Sequence, residues 1–466
     1  MYSQENKPLS VPTRASNLAG WGNYPVSSCR TARPEKLTDI DNIISSVENA
    51  GGGLIGRGLG RSYGDAALNS NLTVDSTRLD HFIAFDKEHG IISAEAGVTL
   101  AEILEIAVPH GWILPVIPGT RYVTLGGAFA CNVHGKNSYI SGEFADHVLS
   151  VNIIKADGSR VTCSPEENSE IFLALAGGMG QGAFIESLTI RLRQVKSASL
   201  ATQTKAVDGL DEMLNCFEST KDSSDYMVGW IDHTKKGHDL GRGLFEAAEH
   251  ISEGDGGESI SDFYFPKPRL NVPFFMPSFL LNKYTMAIYN NLRFRKYDNR
   301  WKEEIKSFRE FFHPLDGIKN WYRLYGKKGF FQYQCLIPES NETKKHIRHI
   351  LELIHSRNSF SSLAVIKYHR EGNSMLSFSK RGYSLALDFH NNARICMLIG
   401  ELNDYVAEIG GRVYLAKDAL LTPEHFVRMY GSNLGNWRDV IKNIDPEGKF
   451  SSLMSVRLNM RGGNIG

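Results

Sequence analysis

The chain has 466 residues, with 52 Lys plus Arg against 52 Asp plus Glu, so it predicts two domains and gives no global electrostatic reason to expect nucleic acid. Its six cysteines are scattered without a C-x-x-C pair, which argues against a zinc site or a disulfide framework and for a reducing compartment. The N-terminal segment has no signal-peptide core and no run of about 18 apolar residues occurs, so a cytoplasmic location, or a peripheral one at the inner membrane, is expected.

Residues 1–35 read as an irregular entry carrying Trp21 and Tyr24, followed by a helix near 36–44 with Leu37, Ile40, Ile43 and Ile44 on one face. The stretch Gly56-Arg57-Gly58-Leu59-Gly60-Arg61-Ser62-Tyr63-Gly64-Asp65-Ala66-Ala67 follows the apolar pair Leu54-Ile55. A strand that breaks into such a loop lets backbone N–H groups approach an anion closely, and a nucleotide pyrophosphate is the expected one. Neither the Rossmann nor the P-loop spacing is present. Strands near 72–75 and 91–97 lead to a helix opened by Thr99 and ending near Gly111.

A second cluster, 118–137, places small residues at 126, 127, 128 and 130, where a helix start is expected to lie flat against a ligand and offer backbone donors. A hairpin at 148–161 turns at Asp157-Gly158, a helix is predicted over 164–176, and a third glycine-rich passage, 177–184, enters a strand at 185–192.

Beyond about residue 195 glycine thins out and charged and aromatic residues increase. Segment 263–285 is apolar, aromatic and broken by proline, and 292–301 interleaves cations with rings; a lipid-facing rim and ordinary packing are both open readings. Strands near 330–337, 363–367 and 383–389 alternate polar with apolar residues, which puts Gln332, Gln334, Lys367 and Asp388 on sheet faces that border a cavity. A helix over 397–410 precedes Tyr414-Leu415-Ala416-Lys417-Asp418, and the chain closes with D-P-E-G-K-F and Arg457-Leu458. The pairs His346/His349 and His233/His238 lack matching carboxylates or cysteines, so they read as surface residues and no metal site is expected.

The three glycine loops, the change of texture and the D-P-x-G-x-F…R-L tail resemble the vanillyl-alcohol-oxidase type of FAD-dependent oxidoreductase. The segments G-R-G-L-G-R-S-Y-G-D-A-A, P-G-T-R-x-V-T-x-G-G-A-x-A-C-x-x-H-G-K-N, Asn282-Lys283-Tyr284-Thr285, Phe312-His313-Pro314-Leu315-Asp316, Gly329-Phe330-x-Gln332-Tyr333-Gln334 and Tyr414-x-Ala416-Lys417-Asp418 are similar to the decaprenylphosphoryl-β-D-ribose 2′-oxidase family. The resemblance implies an α+β, two-domain fold of the PCMH type. Residues 1–195 and 413–466 would bind FAD, and an inserted substrate domain, 196–412, would be built on an antiparallel sheet.

It further implies oxidation of the 2′-hydroxyl of a polyprenylphosphoryl ribose, the first half of an epimerisation to arabinose for cell-wall polysaccharide, which a separate NAD(P)H-dependent reductase completes. Arg57, Gly58, Leu59, Gly60, Arg61, Ser62 and Tyr63 of the first loop would meet FAD. From the second would come Gly119, Thr120, Val123, Thr124, Gly126, Gly127, Ala130, Cys131, Asn132, His134 and Gly135; Gly180, Ile185, Tyr414 and Lys417 would complete the set. Lys417 is the expected flavin-facing cation. His134, Tyr63, Gln334 and Lys367 are candidates for proton handling and for holding the sugar, without assignment of the base among them, and Gln334, Lys367, Asp388 and Asn282 for binding substrate.

Many relatives carry cysteine where Ala386 stands, so thiol-directed inactivation at that position is expected to fail. Covalent flavoproteins of this type usually place a histidine in the first loop; Arg61-Ser62-Tyr63 stands here, so FAD is expected to be noncovalent. Two other readings share parts of this pattern: an oxidase of free sugars, alditols or aldonolactones, and a flavin-binding module without catalysis.

Overall fold

The computed structural model describes residues 11–47, 52–252, 254–268, 270–297 and 299–463. Local signals start its N-terminal elements. Asp39 accepts from the Lys36 N–H at 3.1 Å and opens the helix Leu37–Ser46, whose Ile40, Ile43 and Ile44 are buried. Thr99 and Glu102 cap the helix Leu100–Ala107 reciprocally, and Gly111, at φ +81°, redirects the chain after it.

Two sheets carry the glycine loops. One runs in spatial order Thr13–Ala19, Val26–Ala32, Thr73–Asp75, Ile55–Arg57; the other runs Phe82–Asp86, Ile91–Glu95, Ala183–Arg191, Val148–Lys155, Arg160–Cys163. The predicted helix over 164–176 is shorter than its pattern: it spans Ser169–Leu175. Ser164 accepts from the N–H groups of Glu166 and Glu167 through its hydroxyl, and this local turn displaces the first helical turn.

A large antiparallel sheet follows, ordered Lys302–Ser307, Ser199–Val207, Gly243–His250, Tyr226–Ile231, Ala364–His369, Gly382–His390, Phe330–Pro338, Arg412–Val413. The helices Leu210–Thr220, Thr343–Ser356 and Ala393–Glu408 pack on it. Residues two apart on its strands, such as Leu244 and Glu246, Val365 and Lys367, and Gln332 and Gln334, face one shared cavity. Among the described residues no helix is long and apolar enough to cross a membrane. His233 is not the surface residue its polar context suggested. It is buried and stacked on His355, with ring centroids 4.4 Å apart, because the helix Thr343–Ser356 covers it.

The closing segment fastens the first loop from behind. Ser451 N–H donates to Leu54 O at 2.9 Å, and Leu54 N–H to Lys449 O at 2.8 Å. The Arg457 guanidinium holds both Asp65 oxygens, at 2.7 and 2.9 Å, and Asp418 at 2.9 Å. Both carboxylates are buried, so removing the cation leaves two like charges facing each other out of water. Arg457→Gln should lower stability by about 2 kcal/mol, less than for a fully buried pair because Arg457 is partly exposed. Chemical denaturation of the FAD-free variant measures this, and an unchanged midpoint would show that the tail is held by other contacts.

Candidate active site

A cavity of about 1570 Å³ lies between the glycine loops and the large sheet. One drug-sized ligand usually needs about 300–1,000 Å³, so there is room for a dinucleotide with a second molecule beside it. Among the described residues, the backbone N–H groups of Gly58, Leu59, Gly60, Arg61 and Ser62 donate to no protein acceptor, which leaves a row of donors open to the cavity. Two of these positions require glycine. A Cβ at Gly58 would collide with the Thr124 side chain, and Gly60 sits at φ +61° against the Arg57 guanidinium.

The donors of the second cluster are spent differently from the sequence expectation. Gly126 N–H donates to Ala96 O at 2.9 Å and Gly127 N–H to the Thr124 hydroxyl at 3.3 Å. Gly127, without a side chain, and Ala130, with only a methyl, therefore shape the wall by their small size, not by offering backbone donors.

Four segments converge at the centre. Tyr63 N–H donates to Ala416 O at 2.8 Å, and Tyr414 N–H to Gln334 O at 2.9 Å. Tyr414 donates its hydroxyl to Cys131 O at 2.8 Å, and the Gln334 amide donates to His134 Nε2 at 2.8 Å. These bonds bring His134, Tyr63, Gln334, Tyr414 and Lys417 to one wall, and Lys367 joins them from its strand.

The Lys417 ammonium lies 3.9 Å from the Tyr63 ring centroid, and among the described residues it has no hydrogen-bonding or ion-pairing partner. Burial pulls it down to about 7, while the Asp388 carboxylate works in the opposite direction. Asp388 itself lies under the wall, accepting from Gln332 Nε2 at 2.7 Å and from the Tyr325 hydroxyl at 2.9 Å; burial pushes it up to about 6.

Burial also holds His134 well below the usual histidine range, with His369 and Lys367 adding to the shift, so its ring is neutral. With Nε2 accepting from Gln334, the proton stands on Nδ1, which is buried and finds no acceptor among the described residues. Cys131 lines the same wall, and burial pushes its thiol up to about 12. Ala386 lies opposite Gln334 in the sheet register and leaves the floor without a thiol there.

Residues 30–164 match the family described as FAD binding domain. The chain is 33% identical over 460 residues, 96% of its length and 98% of the relative's, to the decaprenylphosphoryl-beta-D-ribose oxidase of Mycolicibacterium smegmatis. The chain belongs to the decaprenylphosphoryl-β-D-ribose oxidase family. It is an FAD-dependent oxidoreductase of that oxidase family. Two further relatives match shorter parts: the L-gulonolactone oxidase of Mus musculus at 28% identity over 38% of this chain and 40% of its own, and the Delta(24)-sterol reductase of Macaca fascicularis at 28% over 31% and 28%.

The cavity of this oxidase-family member fits FAD: the open N–H row suits a pyrophosphate, and Lys417, with no hydrogen-bonding or ion-pairing partner among the described residues, brings a cation to the same lining. Several residues expected at the cofactor stand behind the wall. Arg57 supports the loop by donating to Ala19 O at 2.8 Å, Gly126 packs on Ala96, and Gly135 packs on Ile117 and Asn137. Ile185 stays in its strand outside the cavity lining. Asn132 spends its side chain on Glu143 at 2.7 Å, Ser374 at 3.2 Å and the Ala145 N–H at 2.9 Å.

Asn282 is likewise not a cavity residue. It caps the exposed helix Lys283–Arg295, accepting from the N–H groups of Tyr284 and Thr285 at 2.7 and 3.1 Å. Sequence reasoning passed over Lys136, Trp230, Leu244, Glu246 and Lys306, all in the lining. Of these, Lys136 alone carried a signal, since it sits two residues after His134 in the same motif.

Gly119 lines the cavity, and a Cβ there would meet nothing within 4 Å. Gly119→Leu should therefore keep the fold and unfolding midpoint of the FAD-free protein while filling cofactor space. About a tenfold loss of FAD affinity, roughly 1.4 kcal/mol, is expected in equilibrium titration, and unchanged affinity would move the cofactor away from this loop.

Proposed function

We propose that this protein oxidises the 2′-hydroxyl of a polyprenylphosphoryl ribose to the 2′-ketone, the first half of a ribose-to-arabinose epimerisation supplying cell-wall arabinan. A separate NAD(P)H-dependent reductase would complete it. Residues 1–195 and 413–466 form the FAD half in this reading, and 196–412 the inserted substrate half. The observation that carries the substrate class is the change in the cavity along its length. Near Lys417, Gln334, His134 and Lys367 it is polar and cationic; towards Trp230, Leu244 and Tyr289 apolar and aromatic side chains join the lining, alongside Glu246, Arg293 and Lys306. A sugar joined to a lipid needs both environments, and a free polyol needs the first alone.

FAD, when bound, takes up the two electrons that the alcohol carbon loses. The chain's own groups do the rest. The Tyr63 phenol, held protonated by burial, and the Gln334 amide hold the sugar through hydrogen bonds, and the neutral His134 imidazole takes the departing hydroxyl proton. The Lys417 ammonium compensates negative charge at the cofactor wall. Noncovalent attachment is supported by the first loop's Arg61-Ser62-Tyr63 and by a Cys131 thiol too weakly acidic to act as a thiolate.

The membrane-facing rim is supported by exposed Phe274, Phe279, Tyr284, Ile288 and Leu292, the last three at helical spacing beside Lys283 and Arg295. Phe275 is half-buried against Tyr322, so Phe279 is a better partner to Phe274 in a test.

Anaerobic addition of a polyprenylphosphoryl ribose should bleach the flavin, whereas free ribose, xylitol or an aldonolactone should not. Bleaching by a free polyol or lactone would transfer the function to oxidation of soluble sugars. Acid precipitation should release the yellow chromophore into the supernatant, and colour retained on the polypeptide would overturn noncovalent binding. Phe274→Ser combined with Phe279→Ser should weaken sedimentation with anionic liposomes several-fold, roughly 1 kcal/mol or more for two exposed rings, and unchanged sedimentation would remove the rim.

A further inference from the structure

Two ammonium groups face the same part of the cavity without enough negative charge to balance them. Lys367 rises from the strand Ala364–His369, and among the described residues its ammonium has no partner. Lys136 enters over the neighbouring strand, where its backbone carbonyl accepts from Met227 N–H at 3.0 Å. Its ammonium donates to Phe311 O at 2.6 Å and lies 3.7 Å from Glu246, a carboxylate already bonded to Lys306 at 2.5 Å. Arg293 adds a further positive charge, and Glu304 is shared between Lys302 at 2.7 Å and Lys306 at 3.7 Å.

Burial brings both Lys136 and Lys367 down to about 8, and Lys136 is the charge that depresses Lys367 further. Like charges held together in a cavity are costly unless an anion joins them.

We propose that Lys367 and Lys136 form an anion subsite for the phosphodiester of the lipid-linked sugar, and that this pair separates phosphorylated from free ribose. The inference rests on the substrate reading above and adds to it the groups that select the phosphate. Its position agrees with the chemistry. From Gln334 across Ala386 to Val365 is two strand spacings, and Lys367 stands two residues further along that strand, which puts it roughly 12 Å from Gln334, a span suited to a pentose carrying a phosphate on its anomeric carbon. Val228, Trp230 and Leu244 line the cavity beside the pair and offer apolar surface to the lipid, with Arg293 4.4 Å over the Trp230 ring.

The test uses the FAD-loaded protein and a probe that cannot react: calorimetric binding of farnesyl methyl phosphate, a diester without sugar, compared with farnesol. The diester should bind about 10- to 100-fold more tightly than the alcohol, the range of a charge-assisted contact, and lose that margin with added salt. Lys136→Met and Lys367→Met should each reduce the preference about tenfold while FAD content stays constant. Equal binding of the two probes by the unaltered protein, or a preference that survives both substitutions, would overturn the subsite.

If a Met variant loses both probes alike, Lys367→Arg, which keeps the charge, decides: a restored preference supports the subsite and a persistent loss overturns it. Because no turnover is read, a protein that binds the diester but is not bleached by the ribose lipid would contradict the substrate reading and leave the anion subsite standing.

Discussion

An ammonium group that has given up its water must find compensation, and Lys417 finds little of it in the protein. Its neighbours are a tyrosine face at 3.9 Å and, one layer down, a carboxylate committed to Gln332 and Tyr325. Burial raises the Asp388 carboxyl and lowers the Lys417 ammonium, so acid protonates the first and base deprotonates the second, and the two are charged together only around neutrality. Asp388 thus steadies the cation without neutralising it, leaving positive charge to act on whatever occupies the cavity.

Much of the surrounding architecture serves to hold that lysine in place. The turn bearing it is bonded forward to Tyr63 and back to Gln334 through Ala416 and Tyr414, and Arg457 clamps Asp418 to Asp65 of the first loop. Tyr325 stacks on Phe330 at 4.1 Å, and Phe330 meets the Tyr63 ring edge-on at 5.4 Å. Elements distant in sequence are in this way made to agree on one point. A loop that receives a flexible cofactor needs such support, because its own N–H donors are reserved for the ligand and cannot brace it.

The parts legible in the sequence were those encoded locally. Four glycines after Leu54-Ile55 announced the open donor row, Thr99 announced its helix, and alternation along 330–337 placed Gln332 and Gln334 on one face. The illegible parts depend on pairings across long separations. The glycines at 126 and 127 look like those at 58 and 60, but whether their N–H groups are free depends on Ala96 and Thr124. Asn282 lies in a motif of the family, yet its amide is consumed by the helix it starts. His233 sits among polar residues and is buried only because a helix more than a hundred residues later covers it. Glu246, Lys306 and Trp230 carried no motif at all; sheet order alone brings them to the cavity.

The unpartnered Lys417 charge is most directly tested by the two-electron reduction potential of the bound FAD in the unaltered protein and in Lys417→Met, at a pH near 6 where the ammonium is protonated. A cation placed to compensate the reduced cofactor makes reduction easier, so the variant should show a lower potential with its FAD still bound. An unchanged potential in a variant that retains FAD would contradict the account and leave Lys417 as a packing residue.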